Sequence, residues 1–212
     1  MDNLLTLDLP LIGNVKESDV PTPEEYTYWQ LRKKRTFVID YEVDEEYSLI
    51  ELGKIIIDMN MSEMHIPKEQ LVPIYIWVHS FGGDMHQQRF FSDLLIASRI
   101  PIVTIAMGVT MSAAFLIFLA GHRRYAFQHS KLLVHDGYAG FEGTASEMEE
   151  FQKNYKKMIS EMKEYVLSRT SIDEKTFNKF KNKDWYLTSD ELIKYNVVDK
   201  LIDNIEDVFA GE

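Results

Sequence analysis

The sequence predicts an α/β fold: a mostly parallel sheet with helices on both faces. Three observations predict it. Runs such as Ile74-Tyr75-Ile76-Trp77-Val78 and Ile102-Val103-Thr104-Ile105-Ala106 are almost wholly apolar, as strands buried on both faces are. Segments of helix length separate these runs, with apolar residues three and four apart. The residues with chemical potential, Gly82-Gly83, the 108–112 segment and His135, follow strand ends, where open α/β sheets bind their ligands.

The elements follow in order. Residues 1–24 read as an N-terminal arm. Leu4, Leu5, Leu7, Leu9 and Leu11 are apolar, but Pro10, Gly13, Pro21 and Pro23 interrupt any long element. Such an arm either docks on something or frays. Residues 26–34 read as a short helix and Thr36-Phe37-Val38-Ile39 as a strand. Asp44 is the expected cap of a helix through Leu49, Leu52, Ile55, Ile56 and Met59. The Ile74 strand ends in Ser80-Phe81-Gly82-Gly83, and a helix follows through Phe90, Phe91, Leu94 and Leu95. After the Ile102 strand, residues 112–120 are small and apolar, as in a buried helix. Lys131-Leu132-Leu133-Val134-His135 is a further strand.

Residues 144–168 form the longest predicted helix, opened by Thr144 and Glu147 at capping-box spacing. Met148, Phe151, Tyr155, Met158, Met162 and Tyr165 recur at alternating spacings of three and four. That heptad seam suits a protruding, oligomer-forming helix, although such stripes also pack on their own domain. Residues 171–202 add a short helix, the run Trp185-Tyr186-Leu187, a helix capped at Thr188 or Ser189, and a strand over 197–202. Asn196 stands where a helix end takes a left-handed residue.

Composition narrows the function. The 212 residues are 45% hydrophobic and 27% charged, which is globular. The net charge of −11 argues against a non-specific nucleic-acid binder. No cysteine is present, so a disulfide scaffold, a thiolate zinc site and a cysteine nucleophile are excluded. The first residues lack a basic segment followed by an apolar run, and the longest apolar stretch, 113–120, is too short to span a bilayer. The expectation is a cytoplasmic protein without a membrane anchor.

Ser112, in Gly108-Val109-Thr110-Met111-Ser112-Ala113-Ala114, sits at a strand-to-helix turn. Its hydroxyl is presented outward beside the free N–H groups of a helix start. A plain N-cap serine is the commoner meaning of this segment alone. The Gly82-Gly83 pair allows a turn with an unshielded N–H. Together the N–H groups of Gly83 and Ala113 would make an oxyanion hole. The glycines do not form a phosphate loop, because the Lys-Ser/Thr ending is missing.

A serine needs a base, and His135 closes an apolar strand on the same presumed edge. His79 and His86 flank the glycine pair and are candidates to line the site. A third group must orient the histidine. Asp184 precedes Trp185-Tyr186-Leu187, an aromatic run suited to burial, though it could equally pair with Lys181 or Lys183. No histidine pair with a carboxylate at ligand spacing carries a metal site, and no cofactor is implied.

Together these segments resemble ClpP, the ATP-dependent caseinolytic serine protease of the ClpP/crotonase superfamily, over roughly residues 26–203. The family's Gly-x-x-x-Ser segment corresponds to Gly108 through Ser112. Its Ser-x-hydrophobic-hydrophobic-hydrophobic-His segment matches Ser130-Lys131-Leu132-Leu133-Val134-His135. Its Arg-Asp-x-aromatic-Leu/Met-Ser/Thr segment is echoed by Lys183-Asp184-Trp185-Tyr186-Leu187-Thr188, and its Glu-Tyr-Gly-Leu-Val-Asp ending by Lys194-Tyr195-Asn196-Val197-Val198-Asp199.

The resemblance implies repeated β-β-α units with a protruding long helix for ring–ring contact. It divides the chain into an arm or axial loop (1–24), a peptidase domain (25–203, its handle about 137–169) and a tail (204–212). It implies a divergent, phage-type serine endopeptidase subunit: Ser112 nucleophile, His135 base, Asp184 orienter, Gly83 and Ala113 as oxyanion donors. A strand over 137–143, with Gly137, Tyr138 and Gly140, would bind extended substrate by β-augmentation. Stacked heptameric rings would enclose the sites. An AAA+ unfoldase of the ClpX, ClpA or ClpC type would feed them unfolded protein, docking at Trp77, Tyr125 and Phe127.

The sequence also departs from the family. Phe81 stands where the family has proline, Asp136-Gly137 replaces Gln-Pro after the histidine, and residues 60–72 read as an insertion. The turn over 121–124 is short, so aligning backward from His135 without a gap places Thr110 on the nucleophile. Other readings share parts of the pattern. A silent ring subunit would lack a triad member. A crotonase-fold acyl-CoA enzyme uses two N–H groups without Ser–His–Asp. A Ser–Lys protease of the superfamily would need Lys183 or Lys131 as base.

Overall fold

A computed structural model describes residues 21–44, 49–180 and 183–209. The arm up to residue 20 and Lys181 lie outside these described residues. The chain divides into two compact units, Met1–Arg35 and Thr36–Glu212. Within the first, helix α1 (Pro23–Lys33) opens on a full capping box, with Thr22 and Glu25 each accepting the other's backbone N–H.

The second unit is built on a seven-stranded sheet. Strand β1 (Thr36–Ile39) is followed by α2 (Ile50–Ser62), β2 (Ile74–Ser80), α3 (Met85–Ala97), β3 (Ile102–Met111) and α4 (Ala113–Leu119). Next come β4 (Arg123–Phe127), β5 (Lys131–Val134), α5 (Ala145–Arg169), α6 (Glu174–Lys179), β6 (Trp185–Leu187), α7 (Ser189–Lys194), β7 (Lys200–Ile202) and α8 (Glu206–Phe209). The sheet order is β1-β2-β3-β4-β7, parallel throughout, with β5 parallel to β3 and β6 antiparallel to β5. The expected α/β class with a mostly parallel sheet is what forms.

Strand β3 organises the site because it serves two partners in succession. Residues 103–106 pair with β4, and residues 109–111 pair with β5. The change falls at Gly108, whose φ of +62° would strain any other residue, and a Cβ there would meet the His79 ring at 2.5 Å. The outcome is that β5 is laid beside the last residues of β3, and His135 follows β5 as Ser112 follows β3.

Helix α4 is buried along its whole length, as its uniformly apolar sequence demands. One side, Ala113, Ala114 and Ile117, joins the core formed with α2, α3 and the β1–β2 face. The other, Phe115, Leu116, Phe118 and Leu119, joins the core under α5 and β6. On β2, Ile74, Ile76 and Val78 face the first core while Tyr75 and Trp77 point to the opposite face. There Val208 of α8 is buried and Phe209 meets Tyr75 at 4.8 Å, within the segment read as a tail.

Several local expectations are corrected. Helix α2 starts at Ile50 with Leu49 at its N-cap and no side-chain cap, so Asp44 does not cap it. Asp84 caps α3 instead, accepting from His86 N and Gln87 N at 2.8 Å each. Strand β4 was not foreseen, because Arg123-Arg124 opens it and masks a short apolar run. The last strand covers only Lys200–Ile202. No strand forms over 137–143, which makes no ladder pairing in this chain.

Candidate active site

Ser112 occupies the N-cap position of α4 at φ 54°, ψ −126° and makes no capping hydrogen bond. Its N–H donates to Leu133 O at 2.9 Å, which ties the turn to β5. Released from capping, the hydroxyl lies 2.8 Å from His135 Nε2. On the far side of the ring, His135 Nδ1 is 3.3 Å from Asp184 Oδ1. A carboxylate at Nδ1 selects the tautomer with its proton there, leaving Nε2 to accept from the serine. The three sequence-predicted residues are thus brought into one chain of contacts. Asp184 is 48% exposed, so the third link is the loosest and the most screened by solvent.

The alternatives to these residues are placed elsewhere. Thr110 is fully buried and its hydroxyl donates to Val78 O at 3.0 Å, away from His135. Lys131 begins the strand that His135 follows, about 13 Å along an extended backbone. Lys183 borders the groove beside His135 and Asp184. His79 does not line the site. Its Nδ1 lies against Met107 O and Val109 N at 3.0 and 3.2 Å, inside the β3 bend. His86 also stands outside the pocket lining.

The glycine loop is held from a direction the sequence did not reveal. Val43 is fully buried and pairs with Gly83 as an isolated parallel bridge. Val43 N–H donates to Gly82 O at 2.7 Å, and Asp84 N–H donates to Val43 O. A Cβ on Gly83 would fall 1.9 Å from Val43 O, so no other residue fits. Phe81 replaces the family proline without preventing this turn. Among the described residues, the N–H groups of Gly83 and Ala113 donate to no protein acceptor. Two free donors beside a serine hydroxyl are what an oxyanion needs.

A pocket of about 330 Å³ opens beside Ser112. Its walls are mainly apolar: Phe81, Met85, Leu116, Tyr155, Met158 and Met162 contribute. The methionines come from α3 and α5, so the seam of the long helix is divided in use. Met162 is buried against the core, Met158 and Tyr155 face the pocket, and Met148 is 51% exposed. Gly137 and Tyr138 also line the pocket, whereas Gly140 faces open space. On the other sheet face Trp77 and Phe127 lie 6.2 Å apart beside buried Tyr125, and Trp77 Nε1 has no acceptor. Among the described residues no group of three or more His, Asp or Glu is placed to hold a metal, and no helix is long and apolar enough to cross a membrane.

Comparison with known families bears on what this arrangement is. A family model described as Clp protease matches residues 24–205. The chain belongs to the Clp protease family. The ATP-dependent Clp protease proteolytic subunit 2 of Treponema denticola is 33% identical over 138 residues, 64% of this chain and 69% of that protein. The protein of the same name in Treponema pallidum is 28% identical over the same shares. The ATP-dependent Clp protease proteolytic subunit of Deinococcus radiodurans is 22% identical over 187 residues, 87% of this chain and 88% of that one. As a Clp-family chain it has the α/β fold with a largely parallel sheet that the apolar strand runs predicted.

Proposed function

We propose that the chain is a serine endopeptidase subunit of a compartmentalised Clp-type protease. The observation that carries the reading is the 2.8 Å contact between Ser112 Oγ and His135 Nε2. Nε2 accepts the hydroxyl proton as Oγ attacks a peptide carbonyl carbon. The carbonyl oxygen becomes an oxyanion, stabilised by the N–H groups of Gly83 and Ala113. The imidazolium returns its proton to the departing amine, leaving an acyl-enzyme on Ser112. Asp184 keeps the ring oriented and stabilises its charge without taking the proton. Water, deprotonated by Nε2, attacks the ester carbonyl, and as the acyl–oxygen bond breaks Nε2 returns that proton to Oγ, which frees the peptide acid and restores Ser112. The apolar pocket receives a hydrophobic side chain beside the scissile bond.

The exposed first turns of α5 support assembly through this helix into stacked heptameric rings, which would shield the sites from folded proteins. The partly exposed rings of Trp77 and Phe127, packed beside Tyr125, support docking of an AAA+ unfoldase that supplies unfolded chains. The test is intact-mass labelling with a fluorophosphonate, beside native mass of the same sample. One adduct per subunit on a ring-sized wild-type species, absent in Ser112→Ala, is the expected result. An adduct that persists on Ser112→Ala overturns the assignment of the nucleophile.

A further inference from the structure

His135 stands where the chain leaves the sheet. Behind it, Val134 is still paired with Trp185 in the β5–β6 ladder. Ahead of it, residues 136–143 make no ladder pairing. Helix α5 contributes contacts that hold them, beside an edge-to-face contact of Tyr138 with the His135 ring at 5.5 Å. Tyr155 Oη donates to the backbone carbonyl of Asp136 at 2.9 Å. Phe141 lies on Phe151 with centroids 4.8 Å apart and 16° between planes, and Phe151 continues to Tyr155 at 6.1 Å and 14°. Phe151 and Tyr155 are one turn apart, so a single face of the helix carries both.

We infer that Tyr155 is a positioning residue for the base: by fixing the Asp136 carbonyl it brackets His135 between the β5 ladder and α5. The inference rests on reading His135 as the general base. The bracket matters because the orienting carboxylate is half exposed and 3.3 Å from Nδ1, so it restrains the ring only loosely. With the backbone anchored on both sides, fewer backbone and rotamer states carry Nε2 away from Ser112. Small displacements of a base cost rate steeply. Tyr155 also lines both the pocket beside Ser112 and the groove between α5 and α6, so its ring is a wall of the cleft. Burial, and then the Asp136 charge, raise the Tyr155 phenol above its ordinary range. The hydroxyl therefore stays a donor at neutral pH.

Tyr155→Phe isolates the clip, because the ring and its stack remain while the hydrogen bond goes. In the full-length chain, fluorophosphonate labelling at Ser112 and kcat for a short peptide are expected to fall about 3- to 10-fold, the range of one lost hydrogen bond, with KM unchanged. Phe151→Leu is the companion variant. It breaks the stack but keeps the hydroxyl, so it should lower the thermal midpoint while labelling stays near wild type. Labelling and kcat equal to wild type in Tyr155→Phe overturn the inference. So does a loss carried wholly by KM, which would make Tyr155 a cleft wall only, or equal slowing in both variants, which would mean general loosening. A wild-type protein without any Ser112-dependent adduct brings down the reading of Ser112 and His135 as well, which separates the two failures.

Discussion

Gly82 packs so closely on Ser112 that a Cβ on the glycine would lie 2.7 Å from the serine Cβ, and 2.9 Å from Ala113 N. The loop that carries one proposed oxyanion donor, Gly83, is therefore built directly on the turn that carries the other, Ala113. Neither can shift without the other. Gly82→Ala must push the two turns apart, since every atom it meets is backbone or Cβ and none is a flexible tip. Peptide hydrolysis is expected to drop about 100- to 1,000-fold, the cost of one misplaced oxyanion donor. Steady-state kinetics on a fluorogenic peptide, with circular dichroism to confirm folding, decides it. Activity within a few-fold of wild type would count against the oxyanion hole.

Ser112 stores strain. At φ 54°, ψ −126° it occupies a region that glycine reaches freely and other residues do not. Ser112→Gly and Ser112→Ala should both abolish labelling, yet they should differ in stability. Glycine relieves the backbone and alanine does not, so the glycine variant is expected to be more stable by about 1 kcal/mol. For a domain of this size that is about 2–4 °C in thermal midpoint. Equal midpoints measured by scanning calorimetry would mean the turn is not strained.

The aromatic patch is separate from the chemistry, because Trp77 points to the sheet face opposite Ile76 and Val78. Trp77→Ala should leave short-peptide cleavage intact and impair ATP-dependent degradation of a folded substrate delivered by an unfoldase. A central aromatic anchor of an interface contributes about 2 kcal/mol or more, roughly a 30-fold loss of affinity. The comparison of the two assays on one preparation separates docking from catalysis. Parallel loss in both would instead assign the patch to the fold.

What was legible in the sequence follows the range of the interactions. β1 appears with the bounds read from Thr36-Phe37-Val38-Ile39, since four apolar or β-branched residues declare a buried strand locally. The Thr144–Glu147 box opens α5 as its spacing indicates. Ser112, His135 and Asp184 were legible only as segments in a known order, and their meeting depends on β3 changing partners at Gly108. Asp44 looked like a cap because local chemistry cannot tell where the chain turns. Asp84, the actual cap of α3, was hidden beside the glycine pair. Val43 carries no signal at all: a valine in a loop becomes the clamp on Gly83 only through a pairing forty residues away. The 137–143 segment reads as extended, but a strand needs a neighbour, and this chain supplies rings from α5 instead.

Tyr165 links the site's foundations to alkaline stability. Its hydroxyl donates to Leu116 O at 3.0 Å, joining α5 to the fourth residue of α4, the helix that Ser112 opens. Burial pushes this phenol up to about 12, above about 10 for an exposed tyrosine. The unfolded chain then releases the proton at lower pH than the folded one, so between these values the folded state binds more protons and stability falls as pH rises. The contribution is fully present below about pH 10 and is lost on passing through about 12. Tyr165→Phe should lose the hydrogen bond, about 1 kcal/mol, at neutral pH. It should also shrink the difference in urea midpoint between pH 9 and pH 11. A variant whose midpoint falls as steeply as wild type over that window would show that Tyr165 does not ionise on unfolding there.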